Sequence, residues 1–197
     1  GFSELTFMPK EVAYSISHSV ALLSVGELLD VELAASFNES HEKYFDMIYK
    51  KTASLIEASA KSAALLAGKA SEKYALYGKN LGLAFQIVDD ILDITQSSET
   101  LGKPSLNDFK EGKTTLPYLY MYDKLSAEEK STLLSLFQKE LSADESLWIK
   151  QKMEETSAIK DAIAYAKKLG FEALEAIKGE DDVGLAPIIT EMIERNF

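Results

Sequence analysis

Only four prolines, Pro9, Pro104, Pro117 and Pro187, interrupt the 197 residues. Proline removes a backbone donor and breaks a helix interior, so its scarcity leaves long segments in which nothing opposes helix formation. Ala, Leu, Glu and Lys dominate those segments, which favours helices over strands. Pro9 suits a first helical turn and opens a helix expected to run to Ala35. Asn38 is a suitable N-cap for a second helix ending at Gly68. A third spans Ser71 to Thr95, with a break expected at Gly78. The loop SSETLGKPSLNDFKEGK (97–113) is rich in Gly, Ser, Pro and charge. Shorter amphipathic helices follow at 115–124, 127–140, 146–153, 157–178 and 184–195. There is no internal repeat and no low-complexity tract. The expectation is an all-α chain, one helical domain over 1–197 with a single core.

With 46% hydrophobic residues the chain can bury a substantial core. Its formal net charge of −11, from 32 acidic and 21 basic residues, argues against a nucleic-acid or anionic-membrane binder, which needs a basic surface. A small polyanion could still be held through a metal ion. The absence of cysteine excludes disulfides and thiolate metal sites and suits a cytoplasmic protein. The sequence reading finds no apolar run long enough for a membrane span and no signal peptide. The chain begins Gly1-Phe2-Ser3, as if entered partway through a fold, so truncation at the N-terminus is expected.

The segment GLAFQIVDDILD (82–93) crowds Asp89, Asp90 and Asp93 into one turn of an otherwise apolar helix. On a helical wheel these three fall with Gly82 and Gln86 in an arc of about 100°. Leu83, Ala84, Phe85, Ile87, Val88, Ile91, Leu92 and Ile94 fill the remainder. A solvated acidic face normally carries charge along its whole length. This helix is instead expected to be surrounded by protein, with one carboxylate stripe facing a cavity. Carboxylates at i, i+1 and i+4 suit a hard cation such as Mg²⁺, which takes one or two protein carboxylates, some water and substrate phosphates. The other reading is a helix end whose aspartates meet solvent or neighbouring lysines.

Lys51 lies on the wheel with Tyr44, Ile48, Leu55, Ala58 and Ser62, away from the solvent face marked by Lys43, Asp46, Lys50, Glu57 and Lys61. Its stem can snorkel to water, or its ammonium can reach the same cavity as the aspartates and bind phosphate, with the Thr52 hydroxyl beside it. Lys103 in LGKP and Lys113 in EGKTTLP add cations from the loop. Three lysines with an Asp/Gln stripe would make a site for Mg²⁺ and a diphosphate.

GLAFQIVDDILD followed by LGKPSLNDFKEGKTTLP resembles the second aspartate-rich region of the trans-isoprenyl diphosphate synthases. KTASLIEASAKSAALLAG is similar to their Lys-Thr helix and LSVGELLDVE to their G-E-L-x-D segment, in register from residue 2 to 125. LGKP…D…EGKTTLP is most like the long-chain bacterial enzymes such as octaprenyl diphosphate synthase. The resemblance implies a multi-helix bundle around a central cavity and a homodimer. It implies a prenyltransferase that ionises an allylic diphosphate and alkylates isopentenyl diphosphate with the resulting cation. It makes Asp89 the principal Mg²⁺ ligand, with Asp90 and Asp93 binding directly or through waters. Lys51, Lys103 and Lys113 would hold the allylic diphosphate, while Thr52 and Gln86 face the reacting carbon skeleton. Glu27 and Asp30 would support these groups or pack beneath them.

The family pattern has two aspartate-rich motifs, the first followed by paired arginines. This sequence has one such cluster and a single arginine, Arg195, so the resemblance implies the C-terminal two-thirds of an enzyme, with activity of the chain alone in question. A class I terpene cyclase would need a downstream N-D-x-x-S-x-x-x-E helix, and Asn107-Asp108 continues instead as Phe-Lys-Glu-Gly-Lys. A di-iron bundle would need E-x-x-H pairs, whereas His18 and His41 follow Ser15 and Asn38. The remaining alternative is a non-catalytic prenyl-synthase-like subunit acting by dimerisation, in which the acidic motif and lysines would be expected to erode.

Overall fold

The structure is a computed structural model, and it describes residues 2–95, 106–180 and 184–193. Among these every regular element is helical, as the scarcity of breakers requires. In chain order the helices are α1 (Phe2–Leu5), α2 (Lys10–Leu33), α3 (His41–Ile48), a π-helical turn (Tyr49–Ala53), α4 (Ser54–Leu66) and α5 (Ser71–Thr95). They continue as α6 (Asn107–Lys110), α7 (Leu116–Lys124), α8 (Ala127–Leu136), α9 (Ala143–Glu155), α10 (Ala158–Ala176) and α11 (Leu185–Ile193).

Several local expectations are corrected, most of them by a side-chain or backbone contact. Asn38 does not cap α3. Its carboxamide closes a tight turn on Ser40, accepting from the Ser40 N–H at 3.1 Å and donating to the Ser40 carbonyl at 3.0 Å. The Ser40 hydroxyl then takes the cap, accepting from the Lys43 N–H at 3.3 Å. Gly78 does not break α5. A Cβ there would lie 2.7 Å from the Ile56 carbonyl oxygen and 2.8 Å from Glu57 Cα, so the glycine is spent on close packing against α4. Helix α8 stops at Leu136 rather than at 140, because Gln138 turns left-handed (φ 58°) and its amide donates to the Ala34 carbonyl at 2.7 Å. Finally, α2 is long and apolar enough to cross a membrane by length and composition alone, contrary to the sequence reading; core helices of soluble proteins pass the same test.

The chain divides into two compact units. The first comprises the described residues within Gly1–Leu29, Phe45–Gln86 and Ala166–Arg195, and the second those within Asp30–Tyr44 and Ile87–Tyr165. Helices α2, α3, α5 and α10 each contribute residues to both. In the first unit α2 buries only Val12, Ser19 and Gly26, a seven-residue stripe of small side chains that admits close neighbours. Tyr14, Val25 and Leu28 on the same helix remain exposed. Helix α10 packs Gly170 against Ile189 and Ile193 of α11, and the Tyr77 hydroxyl donates to the Leu185 carbonyl at 2.9 Å.

The second unit has an apolar core of Ile94, Leu106, Phe109, Tyr118, Met121, Leu133, Ile149 and Met153 among others. Phe109 stacks on Tyr118 with ring centroids 4.7 Å apart and meets Phe137 edge-on at 5.3 Å. Two capping boxes start the helices around this core. The Ser126 hydroxyl accepts from the Glu129 N–H and the Glu129 carboxylate accepts from the Ser126 N–H. Ser142 and Glu145 repeat the device at α9, which therefore begins at Ala143 rather than at 146. Lys152 of α9 also pairs with Glu129 at 2.8 Å.

The Lys152 hydrogen bond, followed by the two bonds from Ser126, holds the Glu129 carboxyl at about 2, below its ordinary 4.5. A carboxyl depressed in the folded state stabilises the fold above its unfolded value and loses that contribution as pH falls. Replacing Glu129 with Gln should therefore lower the urea midpoint at pH 7, and the gap from wild type should close between pH 4.5 and 2. Ser126→Ala should cost about 1 kcal/mol at pH 7 in the same assay. A gap that stays constant down to pH 2 would contradict the pairing.

Candidate active site

Helix α5 carries the acidic turn, and most of its apolar positions are enclosed: Leu83, Ala84, Ile87, Val88, Ile91 and Ile94 are all buried. Phe85, placed by the wheel among them, is exposed. The three aspartates receive three different environments. Asp89 is exposed, Asp93 is half-buried and Asp90 is 4% exposed.

In the second unit the Tyr44 hydroxyl donates to Asp90 Oδ2 at 2.6 Å. A carboxylate removed from water needs such a donor, and a charge-assisted bond is the stronger kind. Burial first, and the Asp90 charge next, push the Tyr44 phenol well above its ordinary value, so it remains a donor.

Asp93 is reached by the chain where it emerges beyond the 96–105 segment. The Leu106 N–H donates to the Asp93 carbonyl at 3.0 Å, and the Asp108 N–H donates to the Asp93 carboxylate at 3.1 Å. Leu106 adopts φ 62° to make this return, a conformation that costs a non-glycine residue about 1–2 kcal/mol. Complete burial of its side chain holds it there. Burial and then repulsion from Asp108 raise the Asp93 carboxyl to about 6, against the opposing pull of backbone N–H groups and Lys113.

Asp108 is the residue to which sequence reasoning gave no role of its own: it stood as the acidic position of LGKP…D…EGKTTLP and within a failed cyclase motif. Its carboxylate pairs with Lys113 at 2.8 Å, and Glu111 pairs with the same ammonium at 2.9 Å. Burial opposes the Lys113 charge, but the bonds to Asp108 and Glu111 outweigh it and hold its pKa above the usual lysine value. Gly112 supplies the φ of +90° that turns the chain at this point, where a Cβ would also lie 2.8 Å from the Ala34 carbonyl. The visible signal was an acidic residue five positions before a lysine within a loop already singled out for its cations.

The first unit holds Glu27, Lys51, Thr52 and Gln86, and the second Asp30. Lys51 and Thr52 lie in the π-helical turn. The Thr52 hydroxyl donates to the Gln86 carboxamide oxygen at 2.8 Å, which brings together two residues paired only by expectation. Lys51 is half-buried with its ammonium 3.5 Å from the Glu27 carboxylate, so it neither leaves with the solvent face nor enters the core. Asp30, at the end of α2, is half-buried. Lys103 lies outside the described residues, as does Arg195.

Among the described residues no three carboxylate or imidazole groups converge closely enough to hold a metal ion by themselves. Mg²⁺ keeps water and shares substrate phosphates around one or two carboxylates, so a site for it needs no closed protein cage. The donors are all hard oxygens, and Asp89 presents its own at the surface of α5.

The sequence profile of the polyprenyl synthetase family matches residues 2–156. A prenyl transferase of Cyanidium caldarium is 40% identical over 175 residues, covering 84% of this chain and 50% of that protein. A short chain isoprenyl diphosphate synthase of Methanothermobacter thermautotrophicus is 37% identical over 132 residues, 66% of this chain and 41% of its own. The crystal structure of octaprenyl pyrophosphate synthase from Helicobacter pylori superposes with a TM-score of 0.92 at 44% identity, covering 98% of this chain and 67% of that one. A polyprenyl synthase from Caulobacter crescentus, complexed with calcium and isoprenyl diphosphate, gives a TM-score of 0.86 at 27% identity, covering 99% of this chain and 61% of that one. The chain thus spans about half the length of the curated relatives it matches. With the fold, the acidic turn and the family profile in agreement, the chain belongs to the polyprenyl synthetase family.

Proposed function

We propose that this chain is part of a trans-polyprenyl diphosphate synthase that joins isopentenyl diphosphate to an allylic diphosphate and makes a long-chain product. The observation that carries the reading is the Thr52–Gln86 hydrogen bond, made three residues ahead of Asp89 on α5. It fixes the uncharged Gln86 dipole, which shares α5 with a carboxylate turn that suits Mg²⁺, against the Thr52 hydroxyl, the combination an ionising allylic diphosphate requires.

Mg²⁺, when bound, would stabilise the charge that develops on the departing diphosphate. Asp89 would hold it, with Asp90 and Asp93 acting directly or through waters. Lys51, Lys103 and Lys113 would grip the diphosphate oxygens. Asp108 and Glu111 keep Lys113 protonated for that task. As the allylic C–O bond breaks, its electron pair leaves with the diphosphate, and the Thr52 and Gln86 dipoles face the carbon skeleton that carries the positive charge. The alkene of isopentenyl diphosphate attacks that carbon, and the departed diphosphate takes the proton whose loss restores a double bond. Stabilisation that grows only as the bond breaks is what raises the rate.

The exposed apolar residues of α2 support a homodimer, since a helix apolar on most faces is ordinarily covered. A cytoplasmic location and a single helical domain are part of the same reading.

Asp89→Ala and Lys51→Ala should each lower turnover by about 10²-fold or more, the effect of removing one preorganised charge-stabilising group. Thermal unfolding should move little, because exposed and half-buried polar substitutions usually change stability by under about 1 kcal/mol. Near-normal turnover in either variant would overturn the assignment. Calorimetric titration of this chain with a non-ionisable allylic diphosphate analogue should give Mg²⁺-dependent binding that Asp89→Ala abolishes; binding unaffected by that change would place the metal elsewhere. Tyr44→Phe, which strips the buried Asp90 of its hydroxyl donor, should cost about 1–3 kcal/mol by urea denaturation.

A further inference from the structure

The π-helical turn at Tyr49–Ala53 needs an explanation that the reaction does not give. A π-turn inserts one residue into a helix and is rare except at functional positions. Ser54 shows how it is closed. The Ser54 N–H reaches back five residues to the Tyr49 carbonyl, passing over the Lys50 carbonyl that an α-helix would have used. The Ser54 hydroxyl, itself buried, donates to that Lys50 carbonyl at 2.9 Å. One residue thus supplies both bonds.

Two glycines meet the turn from two other helices. A Cβ on Gly26 of α2 would lie 2.6 Å from Lys51 Cα and 2.8 Å from the Lys50 carbonyl carbon. A Cβ on Gly82 of α5 would lie 2.5 Å from Ala53 Cα and 2.9 Å from Ala53 Cβ. No side chain fits at either place. The residues beside these glycines hold the functional groups of the turn: Glu27, next to Gly26, pairs with Lys51, and Gln86, one turn beyond Gly82, accepts from Thr52.

We infer that Gly26, Gly82 and Ser54 are positioning residues, which hold the π-turn so that Lys51 and Thr52 are presented to the allylic diphosphate. The inference rests on the proposed function for the identity of that ligand. The mechanism is steric and local. Backbone-to-backbone contact with α2 and α5 fixes the turn to within the small tolerance that van der Waals contact allows, and the Ser54 hydroxyl removes the incentive to revert to an α-turn. Reversion would rotate Lys51 and Thr52 about the helix axis by roughly 100°.

Gly78 provides the matched control. It approaches α4 as tightly, with a Cβ position 2.8 Å from Glu57 Cα, but lies outside the π-turn. Ser54→Ala, Gly82→Ala and Gly78→Ala should be compared by amide hydrogen exchange across residues 49–55 and by calorimetric binding of a non-ionisable allylic diphosphate analogue with Mg²⁺. Ser54→Ala removes only a hydroxyl and keeps the test available if Gly82→Ala fails to fold. Ser54→Ala and Gly82→Ala should speed exchange in the turn and weaken the analogue by about tenfold or more, as displaced positioning groups do. Gly78→Ala, even with a lower melting temperature, should leave both within about twofold, because its Cβ would meet α4 beyond the π-turn rather than the turn's own backbone. Equal weakening by Gly78→Ala, or unchanged exchange in Ser54→Ala, would overturn the inference. Absence of any binding to the wild-type chain would count against the proposed function instead, and the exchange measurements would still decide whether the two glycines and Ser54 hold the turn.

Discussion

Desolvation of carboxylates on α5 is the constraint that organises the second unit. A helix enclosed on most faces cannot carry acidic residues unless each finds a donor, a cation or water. Asp90 takes the Tyr44 hydroxyl. Asp93 takes the Asp108 N–H, a bond that requires Leu106 to turn left-handed and the chain to fold back onto α5. Asp108 then brings a further negative charge, which Lys113 offsets. Each solution creates the next requirement, and the sequence of them builds a polar cluster beside an apolar core. Burial first, and the like charge of Asp108 next, leave Asp93 raised to about 6 against the pull of backbone N–H groups and Lys113. A site left electrostatically short of positive charge is well matched to a cation arriving with a substrate.

In the first unit the corresponding constraint is steric. Glycine is costly in a helix interior, by about 1 kcal/mol relative to alanine, yet α5 carries Gly78 and Gly82 one turn apart and α2 carries Gly26. Each faces backbone at a distance no Cβ could occupy. The helices therefore give up intrinsic propensity for close approach, and two of the three approaches fall on the same five-residue turn. That turn holds Lys51 and Thr52, so local stability is traded for placement of functional groups.

The sequence made some of this legible and hid the rest for physical reasons. The enclosed helix could be read because burial follows the 3.6-residue period, and Ile87 lies where a wheel puts it, though Asp90, set by the wheel on one stripe with Asp89 and Asp93, is buried against Tyr44. Phe85 could not, because a wheel orders residues by angle and does not say which angle meets a neighbour. The break expected at Gly78 rested on propensity alone, which a tertiary contact with Ile56 and Glu57 overrode. The π-turn left no periodic trace at all. A single inserted residue shifts the phase of everything after it without changing composition, so Lys51 looked core-facing on an α-wheel while its ammonium sits half-exposed beside Glu27.

Asp108 marks a different limit. Its role depends on a chain reversal that brings residues fifteen apart into hydrogen-bond contact, and no periodicity spans a loop. What sequence could offer was charge bookkeeping: a loop with several lysines already assigned to a polyanion needs acidic partners to keep those lysines fixed and protonated before the polyanion arrives. Lys113 meets that need with Asp108 and Glu111. An incoming diphosphate would compete with these carboxylates for the same ammonium, while a cation bound nearby would weaken their hold on it by drawing on the same negative charge. Metal and diphosphate would then favour each other's binding through Asp108, a coupling that follows from electrostatics around one shared lysine rather than from any change of fold.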